Sequence, residues 1–264
     1  MSTDRVLVGD GWVPVPRVTT YELVLDQIQA QIRSGRLKAG DRLPSERDLA
    51  QALGVSRVAV REAVGVLKAL GVARTAVGSG SEAGTFLDAA PADALSRLLE
   101  MHVLLASVST ADLVRARVAL ERESARLAAV HARAADWAEL DRHLGAMAAP
   151  DCSLVDFNLH DAAFHVAIAQ AGGNPLVAEL TTALRNAMRL TLLGRLRSAA
   201  DFPATRRRLC AEHEGISAAL RRGDGTAAAD LVEAHIRDFY DENPPVTPET
   251  AMPGPGPPSD DRFP

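Results

Sequence analysis

Asp161 and His165 stand four residues apart in DFNLHDAAFHVAIAQAGG, a stretch whose apolar residues recur at helical spacing. On a helix, that spacing puts a carboxylate and an imidazole on one face, where both can hold a single ion. TRRRLCAEHEGISAALRRGD and TAAADLVEAHIRDFYDE read as two further helices joined at RRGDGT, with Gly223 as the stop and Asp224 or Thr226 as the next cap. His213 lies eleven residues before Asp224, and His235 lies eleven after it. In an antiparallel hairpin, equal distances from the turn give equal heights, so the two imidazoles can meet side by side. Together these residues offer three nitrogens and one carboxylate, a ligand set for a divalent metal ion: Zn²⁺ first, with Mn²⁺, Ni²⁺ or Fe²⁺ as alternatives. Phe164 and Ile168 supply apolar packing nearby. Taken singly, each of these histidines fits a surface or satisfied core position better than a ligand position, and that plainer reading is given to His102, His131, His143 and His160.

A second group of residues suits a different chemistry. LKAGDRLPSERDLAQALGVSRVAVREAVGVLKALGV reads as a short helix, a glycine turn and a second helix. Ser45 caps the first helix with Asp48 in the capping-box position, Leu49 and Leu53 face inward, and Gly54 ends it. Ser56 caps the second, and Val60, Val64 and Leu67 form its apolar stripe. Arg57 and Arg61 then lie one turn apart on the opposite face, at the end of a recognition helix that meets base edges. A guanidinium pairs bidentately with guanine O6 and N7. Arg47 is placed for a phosphate or a base, and the helix starts at Ser45 and Ser56 offer backbone amides to phosphates. Any one of these arginines alone is equally an ordinary solvated face. The three in one frame point to double-stranded DNA.

The elements that must carry these residues are nearly all helical. A first helix is predicted from Thr20 to Ser34, with Val24, Ile28 and Ile32 on one face and Gly35 as its stop. Only VARTAVGSGSEAGTFL departs from helical spacing, and it suggests two short strands around a loop. The helical pattern resumes at Asp93 and continues to Glu242 as six or seven helices, LVRARVALERESARLAAVHA among them. The fold class is therefore mainly α, an N-terminal winged helix-turn-helix followed by an all-α bundle. The domains are a flexible arm over residues 1–17, a DNA-binding domain over 18–88, an all-helical domain with the candidate metal ligands over 92–242, and a Pro-rich disordered tail over 243–264.

Composition narrows the class further. The chain has 264 residues and a net charge of −5, but residues 17–88 hold ten Lys/Arg against eight Asp/Glu, while the remainder holds 19 against 26. A modestly basic head on an acidic body suits a DNA-binding module joined to a sensor. Two cysteines are too few for a disulfide framework, and neither a membrane span nor a secretory leader is legible, so a cytoplasmic protein is expected.

The stretch LPSERDLAQALGVSRVAVREAVGVLKALGV, followed by GTFL, resembles the winged-helix domain of GntR-type bacterial regulators. The resemblance implies that Arg47, Arg57 and Arg61 contact operator DNA and that the wing tip enters the minor groove. Two departures stand out: Ala59 replaces a residue that is often polar or Pro, and the wing, GSGSEAG, carries Glu82 and no basic residue. LVRARVALERESARLAA, DAAFHVAIAQAGGNP and the segment from Glu212 to His235 resemble the FCD ligand-binding domain of the FadR-like branch. That likeness implies a divalent metal held by Asp161, His165, His213 and His235. It also implies a small carboxylate-bearing effector near Arg117, a homodimer, and repression relieved by ligand. Arg117 equally fits a buried pair with Glu121, four residues on, and Asn158 is a lesser effector candidate. Asn174 with Pro175 shapes a helix end. A metallohydrolase is the competing reading for the histidine cluster, though no HExxH, GxSxG or Walker sequence accompanies it. A purely structural metal is a third.

Overall fold

A computed structural model describes residues 19–76, 83–88, 92–105 and 109–243. The arm at residues 1–17, the wing tip with Glu82 and, beyond Asn243, the tail lie outside the described residues. The chain divides into two compact units, residues 1–91 and 92–264.

The first unit comprises α1 (Thr20–Arg33), α2 (Glu46–Leu53), α3 (Arg57–Ala69), β1 (Ala73–Ala76) and β2 (Gly84–Leu87). Ser45 Oγ accepts from the Asp48 amide and donates to the Asp48 carboxylate at 2.7 Å, and Ser56 Oγ accepts from the Ala59 amide. Gly54 closes α2 at φ 66°, a left-handed turn that a side chain would resist. β1 and β2 pair antiparallel with Ala73 opposite Leu87 and Arg74 opposite Phe86. The chain just before α2 joins the far edge of β2, where Leu43 N donates to Thr85 O and Leu87 N to Asp41 O. Val24, Ile28, Leu43, Val60, Val64, Leu67, Ala73 and Leu87 form the core. Ile32 does not join them and is 36% exposed. Each four-residue step turns about 40° past a full circle, so two steps from Val24 carry the stripe off the buried face.

Seven helices form the second unit among the described residues: α4 (Ala92–Leu104), α5 (Thr110–His131), α6 (Ala134–Ala148), α7 (Leu154–Ala171), α8 (Pro175–Ser198), α9 (Phe202–Arg221) and α10 (Gly225–Glu242). α7 is buried around much of its circumference, as a helix central to a bundle must be. It packs against α5, α6 and α8. Phe157, Phe164, Ile168, Met188, Leu209, Ile216 and Ile236 fill the surrounding core. α5 and α10 approach closely at Gly225, where a Cβ would stand 3.2 Å from the Arg126 backbone. Asp224, not Thr226, caps α10 by accepting from the Ala227 amide, after a turn through Gly223 at φ 72°. Asn174 accepts from the amides of Leu176 and Val177 and starts α8 with Pro175 in its first turn. None of the described helices is long and apolar enough to cross a membrane.

Candidate metal centre and nucleic-acid interface

Asp161 and His165 project from α7, His213 from α9 and His235 from α10, and one donor atom from each lies within 4.8 Å of all the others. His165 Nε2 is 3.2 Å from His213 Nε2, and Asp161 Oδ1 is 3.1 Å from His213 Nε2 and 4.0 Å from His235 Nε2. The α9–α10 hairpin sets the His213 and His235 rings 4.5 Å apart, at matched heights on either side of the turn. Phe164 closes the apolar side, its ring 5.0 Å from His213 and 5.4 Å from His165.

The remaining imidazole nitrogens explain the convergence. His165 Nδ1 lies 2.8 Å from Glu121 Oε2, and His235 Nδ1 lies 2.7 Å from Glu212 Oε2. A ring nitrogen that close to a carboxylate carries the proton, so both Nε2 lone pairs turn inward, the arrangement seen around metal-ligating histidines. Burial holds His165 and His235 well below the ordinary imidazole range, aided by the charge of Arg185 on the first and of His213 on the second. For Asp161, burial works the other way, but the His213 hydrogen bond and the Arg185 charge outweigh it and keep the carboxylate ionised. That keeps the His165 and His235 imidazoles neutral beside an ionised Asp161, protonation states that suit the ligands of a divalent metal ion. These donors fit such an ion.

Three side chains beyond the expected ligands shape the centre. Arg185, from α8 and fully buried, donates to Asp161 Oδ2 at 2.8 Å and to both oxygens of Glu121 at 2.7 and 2.6 Å. Glu121 also receives Arg117 Nε at 2.8 Å. Burial would raise the Glu121 pKa, but Arg117 and Arg185 hold it far down, and the same carboxylate raises that of Arg117. Glu212 is the third. Its neighbour His213 pointed to this helix, but Glu212 pairs with Arg208 one turn before it and, across the hairpin, with His235. The Glu121 contact with Arg117 is legible from four-residue spacing. Those with His165 and Arg185 depend on the packing of α5, α7 and α8.

Arg117 is both a buried partner of Glu121 and part of a cavity wall. A small cavity of about 10 Å³, room for roughly one water, is lined by Arg117, Asn158, Asp161, His235 and apolar residues including Leu192 and Phe239. Asn158 is buried there and donates to Arg189 O at 3.3 Å. Of the other histidines, His143 is buried, with its Nδ1 3.1 Å from His160 Nδ1, and His102 and His131 are exposed.

In the first unit, Arg57 and Arg61 are exposed one turn apart on α3, at the edge of the buried face that carries Val60, Val64 and Leu67. Arg61 Nε lies 3.1 Å from Glu46 and Arg47 Nε lies 3.3 Å from Asp48, both surface pairs worth about 0–1 kcal/mol and readily exchanged for phosphate. Arg57 has no ion-pair partner among the described residues. Ser45 and Ser56 stand at the exposed N-termini of α2 and α3.

Residues 20–82 match the gntR family of bacterial regulatory proteins, and residues 112–238 match the FCD domain. The Glc operon transcriptional activator of Escherichia coli K12 is 31% identical over 226 residues, covering 82% of this chain and 85% of that protein. The chain belongs to the GntR family. A second GntR-family relative, the HTH-type transcriptional regulator LutR of Bacillus subtilis, is 32% identical, covering 80% of this chain and 94% of that one. The GntR structure from Streptococcus agalactiae shares the fold at TM-score 0.57 and 23% identity, covering 84% of this chain and 99% of that one. This GntR-family chain is thus a DNA-binding transcription regulator with an FCD domain, and the hydrolase reading of its histidine cluster falls away.

Proposed function

We propose that this regulator reads a DNA operator through Arg57 and Arg61 of α3, anchored by Arg47 and the starts of α2 and α3 at Ser45 and Ser56. Its affinity for the operator is set by a small organic acid bound at a divalent metal in the FCD domain. The observation that carries the second half is the convergence of three Nε2 atoms and Asp161 Oδ1 within 4.8 Å, beside a cavity that Arg117 also lines. Asp161, His165, His213 and His235 would hold the ion, zinc first among Zn²⁺, Mn²⁺, Ni²⁺ and Fe²⁺. A bound metal supplies a Lewis-acid position for one carboxylate oxygen. Arg117 supplies the charge for another part of the acid, since a guanidinium binds carboxylate strongly, and Asn158 adds a polar contact. Arg185 engages Asp161 Oδ2 and so leaves Oδ1 as the ligand atom.

Two copies of the chain would bind paired half-sites, each with its own recognition helix. An acid that favours one arrangement of the dimer changes operator affinity by its differential binding to the two, typically about 1–3 kcal/mol. Release from the operator on binding the acid, hence repression relieved by ligand, is the direction proposed, in a cytoplasmic setting. The cavity at the metal centre favours this reading over a purely structural ion. Calorimetric titration of zinc into chelator-treated protein, then of short carboxylic acids into the zinc-loaded form, tests it. The reading requires stoichiometric zinc binding and acid binding that is lost in Arg117→Ala. Acid binding unaffected by that change, or no zinc binding at all, would sink it.

A further inference from the structure

The four donors of the metal centre differ in what stands behind them. Asp161 turns Oδ1 inward and is held at Oδ2 by Arg185 at 2.8 Å. His165 Nδ1 rests on Glu121 Oε2 at 2.8 Å, and His235 Nδ1 on Glu212 Oε2 at 2.7 Å. His213 has no such support. Its ring is fully buried and its Nε2 meets Asp161 Oδ1 at 3.1 Å and His165 Nε2 at 3.2 Å. Its Nδ1 is also buried, and it has no hydrogen-bond partner among the described residues.

The sequence of α9 explains this gap. One turn before and after His213 stand Leu209, Cys210, Ile216 and Ser217, none of them a carboxylate. Glu212 and Glu214 are immediate neighbours, and each points about 100° away around the helix axis. Glu212 is engaged by Arg208 and His235. From α7, an apolar ring, Phe164, packs against His213 at 5.0 Å. When Nε2 is the ligand atom, the ring's proton sits on Nδ1, and a carboxylate there fixes the ring and makes it a better donor. Losing such a partner typically costs about 10- to 100-fold in metal affinity. A buried N–H without an acceptor adds a further penalty.

We propose that Asp161, His165 and His235 are the holding ligands of the centre and that His213 is its weak, replaceable fourth. This inference rests on the reading that these four residues bind a divalent metal. Two imidazoles and one carboxylate are a set that holds divalent ions while leaving coordination positions open. The centre therefore retains an ion without His213 and releases it without either of the two supported histidines. The difference lies in the partner and not in the imidazole, so removing Glu212 makes His235 as weak a ligand as His213.

The test is the zinc affinity of the chelator-treated full chain, measured by competition with a chelating indicator. Wild type, His213→Ala, His165→Ala and His235→Ala are compared, each also made in a Glu212→Gln background, with thermal melting as a check on folding. His235→Ala is expected to raise the zinc Kd about 10- to 100-fold more than His213→Ala does. If His165→Ala fails to fold because it opens the buried network, the His235 comparison stands alone, since Glu212 is partly exposed. In the Glu212→Gln background the gap between His235→Ala and His213→Ala is expected to close. A His213→Ala loss equal to or larger than that of His235→Ala overturns the inference, as does a gap that persists without Glu212. If wild type binds no zinc, it is the metal reading itself that fails, a result distinct from either of these.

Discussion

The charged groups of α3 and those around Glu121 solve opposite problems. Arg57 and Arg61 are exposed, and the one ion pair they make among the described residues, Arg61 with Glu46, is a surface contact worth about 1 kcal/mol at most. Glu121, Arg117, Arg185, Asp161 and His165 are buried and joined by bonds of 2.6–2.8 Å. A surface that must exchange water for a polyanion gains from loosely held cations, because counterions and weak partners leave on binding. A centre proposed to hold an ion and a small acid gains from side chains that are already fixed. Mutations should therefore separate cleanly: α3 changes alter DNA binding with little effect on folding, and changes at the buried centre alter folding or ligand binding.

The largest expected effect is that of Glu121→Gln, which removes the charge shared by two buried guanidinium groups. Breaking a buried pair in this way costs about 3–5 kcal/mol, and urea denaturation should show a matching loss of stability in the helical unit. A loss below about 1 kcal/mol would mean that water reaches the network. Arg57→Ala comes next, lowering preference for a selected operator over random duplex by about 1–3 kcal/mol. Its melting behaviour should stay within about 0.5 kcal/mol of wild type. Glu212→Gln is expected to weaken zinc binding about 10- to 100-fold by loosening His235, without the folding loss of Glu121→Gln, because Glu212 is partly exposed. Equal effects on folding from both glutamates would erase the distinction between a buried hub and a ligand's outer partner. Smallest is Glu46→Gln, which frees Arg61. Stability should change by less than about 1 kcal/mol, and affinity for random duplex should rise slightly at low salt.

How much of this was legible in the sequence depended on whether the signal was local. The caps at Ser45, Ser56 and Asn174, the turn at Gly223 and the inward face of α3 are set by neighbours a few residues apart, and they read correctly. His213 and His235 were also legible, because a hairpin converts sequence distance into height. Ile32 misled because a four-residue stripe drifts around the helix. Arg185 gave no signal: it lies on α8, a helix without a motif, and its partners Glu121 and Asp161 come from α5 and α7. The pairing of Glu212 with His235 was hidden for the same reason, since it spans two helices and depends on their rotation. Asn158 could be placed near the ligands by spacing and Arg117 through the family resemblance, but the cavity they share exists only once α8, α9 and α10 are packed around them.

The central claim is that an acid at the metal centre changes operator affinity. It is tested most directly by anisotropy with a duplex selected from random sequence by the wild-type chain. Zinc-loaded wild type and Asp161→Ala/His213→Ala would be titrated in parallel with a panel of short hydroxy and dicarboxylic acids. At least one acid is predicted to shift the wild-type Kd by about 5- to 150-fold, and none to shift that of the double variant. An unchanged Kd across the panel, or an equal shift in the variant, would contradict the account.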